Sequence, residues 1–88
     1  MRYNLSFTPQ ARKGLLDLPR HVQKRVERWI DLLCDDPRRE GTKKLEGDED
    51  LRRVHTGKDY VIVYFVRDDQ VLIVVVRVGH RKDVYRGL

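Results

Sequence analysis

The sequence predicts a single α+β domain, residues 1–88, in which a helical hairpin covers one face of a mostly antiparallel four-stranded sheet. Three observations lead to this fold. The chain has 88 residues, enough for one hydrophobic core. Helical spacing of apolar residues occurs only in its first half, and strand-like apolar runs separated by short turns fill its second half. The predicted order is therefore strand, helix, helix, strand, strand, strand.

The first strand, residues 2–7, is predicted by apolar residues at alternate positions, namely Tyr3, Leu5 and Phe7. Thr8 and Pro9 then predict a helix start, because threonine caps a helix and proline fits its first turn. Pro19 interrupts this helix and opens a second one, which ends near Asp35, before Pro37. Apolar residues at helical spacing predict the buried face of the second helix: Val22, Val26, Trp29, Ile30 and Leu33.

The second half of the chain predicts a loop followed by three strands. The segment from Pro37 to Asp50 is polar and has no sustained periodicity, which indicates a connecting loop. Residues 51–56 form the second strand, and the apolar runs 60–66 and 71–78 form the third and fourth. Short turns between them indicate an antiparallel meander, and Gly79 is expected to end the last strand. Because only the helical hairpin is available to cover this sheet, its other face should be partly open.

Composition excludes several classes of protein. No apolar run approaches the roughly 20 residues that span a bilayer, and 38% of the residues are charged, so we expect no membrane association. The first eight residues lack the apolar stretch of a signal peptide, which favours a cytoplasmic location. Cys34 is the only cysteine, and the three histidines are isolated from other ligand residues. We therefore expect no disulfide, no metal and no cofactor.

Charge is distributed unevenly along the chain. The formal net charge is +5, yet residues 35–50 contain seven acidic residues against four basic ones. The rest of the chain therefore carries a larger positive excess than the total suggests. Such an excess favours a polyanionic partner, of which nucleic acid is the commonest, although simple solubility would also account for it.

Two clusters of polar residues could support catalysis. Arg53 and His55 are two positions apart on the second strand, so they share a face about 7 Å apart. The second cluster follows the last strand and contains His80, Arg81, Lys82 and Tyr85. In an antiparallel meander the second strand can lie near the end of the fourth, which would bring the two clusters together. The alternative is that these side chains are exposed, hydrogen-bonded or packed, without a catalytic role.

These residue types suit cleavage of RNA through its own 2′-hydroxyl group. That reaction needs a group that takes the hydroxyl proton, a cation beside the developing phosphorane and a proton for the leaving 5′-oxygen, but no metal. Histidine titrates near neutral pH, and arginine is a permanent cation whose shape matches phosphate. Tyrosine can stack on a base or donate a proton.

Several segments, in this order along the chain, together resemble the RelE/ParE superfamily of bacterial and archaeal toxins. They are Tyr3-x-Leu5-x-Phe7-Thr8-Pro9-x-Ala11, the loop GTKKLEG at 41–47, LRRVH at 51–55, DYVIVY at 59–64 and VGHRKDVYR at 78–86. The resemblance covers almost the whole chain. It implies the β-α-α-β-β-β microbial RNase fold, in agreement with the order of elements above.

The resemblance also implies a function and partners. RelE-like toxins of type II toxin–antitoxin systems are ribosome-dependent endoribonucleases that cut mRNA in the ribosomal A site by metal-free attack of the 2′-hydroxyl. An acidic, RelB-like antitoxin wraps around them and blocks the site. The partners implied for this chain are therefore a cognate antitoxin, the ribosome and mRNA, with operator DNA bound only through the antitoxin complex.

Site residues are implied by position. Arg53 and Arg81 would hold the phosphate, Tyr85 would orient or stack on a base, and His55 or His80 would transfer protons. Further basic residues are expected to contact RNA: Lys43, Lys44, Arg52, Lys58, Lys82 and Arg86.

One departure keeps two other functions open. The RelE-like pattern has arginine after the tyrosine of the third strand, where this chain has Val61, and Lys58 lengthens the preceding turn. Lys58 or Arg52 would have to replace that cation. The alternatives are a ParE-like inhibitor of DNA gyrase without RNase activity, and a catalytically inert module that binds RNA or antitoxin.

Overall fold

Two helices and five strands form the part of the chain that the computed structural model describes, residues 2–45, 47 and 50–86. In chain order they are β1 (Asn4–Phe7), α1 (Pro9–Leu16), α2 (Arg20–Asp35), β2 (Thr42–Lys44), β3 (Leu51–Thr56), β4 (Tyr60–Arg67) and β5 (Leu72–His80). A 3-10 turn, Asp68–Gln70, joins β4 to β5. The predicted α+β class is confirmed. Neither helix in these residues is long and apolar enough to cross a membrane.

The helices begin where the sequence predicts. The Thr8 hydroxyl accepts a hydrogen bond from the Ala11 N–H at 3.0 Å, and Pro9 occupies the first turn of α1. Pro19 precedes α2, whose buried residues are Val22, Val26, Ile30, Leu33 and Cys34. Their helical spacing places this apolar face against the sheet.

The five strands form one mixed sheet in the order β1-β5-β4-β3-β2. β1 runs parallel to β5, and the other neighbouring strands are antiparallel. Helix α1 packs close to β5 at Gly14, where an added Cβ would lie closer than 3.0 Å to the carbonyl oxygen of Val78. Only glycine allows this approach.

The prediction of four strands is wrong by one. Residues 42–44, within the segment interpreted as a loop, form β2 and pair with Arg52–Val54 of β3. This edge strand has three residues, two of them exposed lysines, so it shows no alternation of apolar residues. It is held by the backbone of β3, which the local sequence does not reveal.

The expected end of the last strand is also wrong. Gly79 lies within β5 opposite Val61, and the ladder continues to the pair Tyr60 and His80. Glycine weakens a strand only modestly, and both its neighbours here keep their ladder partners. His80 therefore belongs to the sheet rather than to the tail.

Buried residues lie on both faces of the sheet. The larger cluster is on the helix side and contains Val54, Ile62, Tyr64, Ile73 and Val75 together with the buried faces of α1 and α2. A small second cluster, Val61, Val63 and Val84, lies on the opposite face, which we call the open face. The prediction of one covered and one partly open face is confirmed.

A polar clamp closes one end of the sheet. Arg38 donates two hydrogen bonds to Asp68, at 3.1 and 2.8 Å, and the Tyr3 hydroxyl donates a third at 2.6 Å. The hydrogen bonds from Arg38 and then Tyr3 lower the pKa of Asp68. This clamp links β1, the segment after α2 and the β4–β5 turn. It lies at the end of β4 far from Val61.

Candidate active site

Strand β3 presents Arg53 and His55 on the open face. Val54 and Thr56 are buried on the helix side, so the alternate residues point the other way. Arg53 lies opposite Val63, and His55 lies opposite Val61. Arg53 is half-buried, whereas His55 is exposed.

The floor of the open face is apolar. Val61 and Val63 of β4 are 0% exposed because Val84 of the C-terminal tail packs over them, together with Leu45, Leu51 and Val76. The tail, residues 81–86, forms a tight turn in which the N–H groups of Asp83 and Val84 both donate to the His80 carbonyl at 2.9 Å. Val84 thereby anchors the tail, and the next residue, Tyr85, is 39% exposed.

Arg81 is attached to the β3–β4 turn. Its N–H donates to the Asp59 carbonyl at 2.8 Å, and its Nε lies 3.9 Å from Asp59 Oδ1. Both side chains of this ion pair are about half exposed, so water screens their attraction. The backbone bond fixes the position of Arg81, while its guanidinium is held only weakly by the exposed Asp59.

His80 lies on the other side of the sheet. Its ring packs edge-on against Tyr60, with 5.7 Å between ring centroids, and Tyr60 contacts the helix-side core. His80 Nδ1 accepts a hydrogen bond from the Lys82 N–H at 3.1 Å. The structure thus places His55 with Arg53 on the open face and separates His80 from both.

The basic residues expected to contact RNA divide between the two faces. Lys43 is the ladder partner of Arg53 and extends the basic row across β2. Arg52 points to the helix side, where it donates to the Thr42 hydroxyl at 2.9 Å, and Lys44 is its ladder partner. Lys58, Lys82 and Arg86 are exposed in the β3–β4 turn and the tail, where Arg86 lies 3.7 Å from Asp83.

A further basic residue, Arg77, lies in the same row and was not singled out from the sequence. It is the ladder partner of Val63, so Lys43, Arg53, Val63 and Arg77 align across β2, β3, β4 and β5. The signal that could have revealed it is a lone charge in the apolar run Val71–Val78. A strand covered on both faces would not accept an unpaired arginine there.

Comparison with known proteins identifies the family. The family model of the ParE toxin of the type II toxin–antitoxin system parDE matches residues 5–85. The chain belongs to the RelE/ParE toxin superfamily. It is accordingly a toxin of a type II toxin–antitoxin system.

Named relatives agree with this membership. Toxin RelG of Mycobacterium tuberculosis is 34% identical over 90 residues, covering 98% of this chain and 99% of RelG. The isolated Escherichia coli RelE toxin superposes with a TM-score of 0.79 at 29% identity, covering 89% of this chain and 83% of RelE. The archaeal RelE–RelB complex from Pyrococcus horikoshii gives a TM-score of 0.79 at 30% identity, covering 96% of this chain and 100% of the matched chain. The match to the family model, residues 5–85, extends over the sheet and most of the tail that carry the candidate site.

Proposed function

We propose that this toxin is a ribosome-dependent mRNA endonuclease that cleaves by attack of the substrate's own 2′-hydroxyl. The observation that supports it most is the open face, where Arg53 and His55 lie beside a tail that carries Arg81 and Tyr85. The RelE-like relatives support the same reading.

The proposed reaction assigns one task to each residue. His55 accepts the 2′-hydroxyl proton as the 2′-oxygen attacks phosphorus, the bond to the 5′-oxygen breaks, and that oxygen takes a proton from water. Arg53 and Arg81 bind the nonbridging oxygens and stabilise the developing negative charge. Tyr85, exposed beside them, stacks on a base of the substrate. His80 holds the tail in position through Lys82.

The ribosome would supply what this small chain lacks. The open face is shallow, with an apolar floor and cations around it, so it holds a strand of RNA only weakly by itself. A large scaffold that already fixes the message in its A site would position the scissile phosphate over this face. The toxin would therefore act in the cytoplasm, where it meets translating ribosomes.

The proposed cognate partner is an acidic, RelB-like antitoxin, as the P. horikoshii RelE–RelB complex suggests. Its acidic side chains would cover the basic row of the open face, and operator DNA would be bound only through that complex. Attraction between opposite charges accelerates association and is screened by salt. The association rate should fall as salt rises, and a rate independent of salt would contradict this account.

Primer extension on purified ribosomes carrying a defined message tests the function. We expect cuts in the A-site codon and none on the same message without ribosomes. Arg81→Ala should lower the cleavage rate by about 10²–10³-fold, the usual effect of losing a group that stabilises the transition state. Tyr85→Ala should lower it strongly while Tyr85→Phe, which keeps the stacking ring, should not. Arg67→Ala is the matched control, because Arg67 lies at the far end of β4 beside Asp69.

Gyrase inhibition is the second candidate, because the matching family model is that of ParE and Val61 stands where RelE-like toxins have arginine. It predicts that the protein blocks DNA supercoiling by purified gyrase and leaves ribosome-bound message intact. An inert binding module would do neither. Growth arrest that survives both Arg81→Ala and Tyr85→Ala would contradict the nuclease proposal.

A further inference from the structure

Arg77 and Arg53 flank the floor of the open face from opposite sides. Both are ladder partners of Val63, one on β5 and the other on β3. Neighbouring strands are about 4.8 Å apart, so the two Cα atoms are separated by about 10 Å across β4. Residues paired in this way share a face, and long side chains can reach over the strand between them.

The guanidinium of Arg77 has unused hydrogen-bonding capacity. It has five N–H donors, and its one hydrogen bond within the described part of the chain runs from Nη1 to the Val76 carbonyl at 3.1 Å. Its Nε is buried without a partner, and no carboxylate of the described residues forms an ion pair with it. A buried arginine donor left unpaired is costly, which points to a partner that arrives from outside the chain.

Two other arginines with an unpartnered Nε, Arg39 and Arg52, differ from Arg77 in their surroundings. Arg39 packs over the Trp29 ring at 5.7 Å, and Arg52 donates to the Thr42 hydroxyl on the helix side. Neither lies on the open face. Arg77 is therefore the one of these three that a ligand on the candidate site can reach.

The space beside Arg77 suits an anion. A cavity of about 250 Å³ lies between α1 and the tail, and Lys13, Arg77 and Arg86 contribute cations to its walls. Asp17 and Asp83 also line it, but Asp83 lies 3.7 Å from Arg86. An added Cβ on Gly79 would meet no atom within 4 Å, so there is open space at Gly79, two residues from Arg77.

We propose that Arg77 binds a phosphate of the RNA strand at the cleavage site, opposite Arg53. This inference rests on the proposed nuclease function. Arginine suits the task because its planar fork donates two parallel hydrogen bonds to phosphate oxygens. One arginine would then lie on each side of β4, with Arg81 at the end of the strands.

The test compares Arg77→Met with Arg77→Lys in single-turnover cleavage of ribosome-bound message. Methionine keeps a long apolar stem but removes the charge, whereas lysine keeps the charge but loses the fork. We expect the rate to fall about 10–100-fold in Arg77→Met and severalfold in Arg77→Lys. Arg67→Met is the matched control and should stay within about twofold of the unaltered toxin.

Salt dependence separates a phosphate contact from a structural role. The binding constant is measured on ribosomes that carry a message with a 2′-deoxy nucleotide at the cleavage site. The slope of its logarithm against the logarithm of salt concentration should become shallower by about 0.7–0.9 in Arg77→Met. Arg77→Lys should retain the slope. If Arg77→Met does not fold, as judged by circular dichroism, Arg77→Gln replaces it in both measurements, because glutamine also removes the charge.

The outcomes separate this inference from the proposed function. If the unaltered toxin cuts no message, the nuclease function fails. If it cuts and Arg77→Met cuts equally fast with the same salt slope, only the role of Arg77 is refuted. Loss of antitoxin binding with normal cleavage would show that an acidic antitoxin residue occupies the cavity, and would also overturn the proposal.

Discussion

Gly14→Ala tests the close approach of α1 to β5. An alanine Cβ would lie closer than 3.0 Å to the Val78 carbonyl oxygen, whereas ordinary contacts begin near 3.4 Å. Neither atom can move without its helix or strand, so α1 and β5 would have to separate by about 1 Å. The cost in stability should lie at the upper end of the roughly 1–3 kcal/mol that is typical of overpacking. Alanine gains at most about 1 kcal/mol of helix propensity over glycine. We expect a net loss of about 2 kcal/mol in the free energy of unfolding.

Urea denaturation followed by fluorescence of Trp29, the only tryptophan, measures this loss. A loss of this size lowers the melting temperature of a domain of 60–100 residues by about 8–16 °C. Gly79→Ala is the matched control, because the added Cβ meets nothing within 4 Å and Gly79 lies one residue from Val78. It should stay within about 0.5 kcal/mol of the unaltered toxin. If Gly14→Ala is as stable as Gly79→Ala, the packing argument is refuted.

Three further changes test the clamp, the core and α2. Arg38 lowers the folded-state pKa of Asp68, so the ionised carboxylate stabilises the fold at pH values above its unfolded-state pKa, near 3.8. This contribution disappears as the pH falls through the folded-state pKa. Asp68→Asn should therefore make the free energy of unfolding depend less on pH at the acid end. Tyr64→Phe removes the buried bond to the Pro37 carbonyl (2.6 Å) and should cost about 1–3 kcal/mol in urea, and an unchanged midpoint would contradict this. Arg20→Glu places an acid in the first turn of α2, which has none, and should add about 0.3–1 kcal/mol in thermal melts at low salt.

The sequence predicted the elements whose residues carry a local signal. Thr8 and Pro9 cap α1 through their own atoms, and the apolar face of α2 reflects its helical period, so both could be located without tertiary information. β2 and the last two residues of β5 could not, because they are strands only through pairing with β3 and β4. Pairing depends on distant residues, which a local pattern does not contain.

The candidate site divides in the same way. Arg53 and His55 could be assigned to one face because residues two positions apart on a strand point to the same side of the sheet. His80 could not be assigned correctly to a side of the sheet, since that depends on β5 continuing through Gly79 opposite Val61. Arg77 was missed because the run around it is apolar, and its alignment with Arg53 arises only through the register of β3, β4 and β5.

Strand β4 links stability to the site. Its residues Ile62 and Tyr64 belong to the helix-side core, while Val61 and Val63 form the floor that holds Val84. Substitutions in the helix-side core should therefore change the free energy of unfolding, with little direct effect on the arrangement of the basic side chains. A smaller residue at position 61 or 63, in contrast, would loosen the packing of Val84 and displace Tyr85. Such neighbouring changes are not additive in free energy. Alternate residues of the central strand β4 thus face opposite sides of the one sheet, where one set stabilises the fold and the other supports the candidate site.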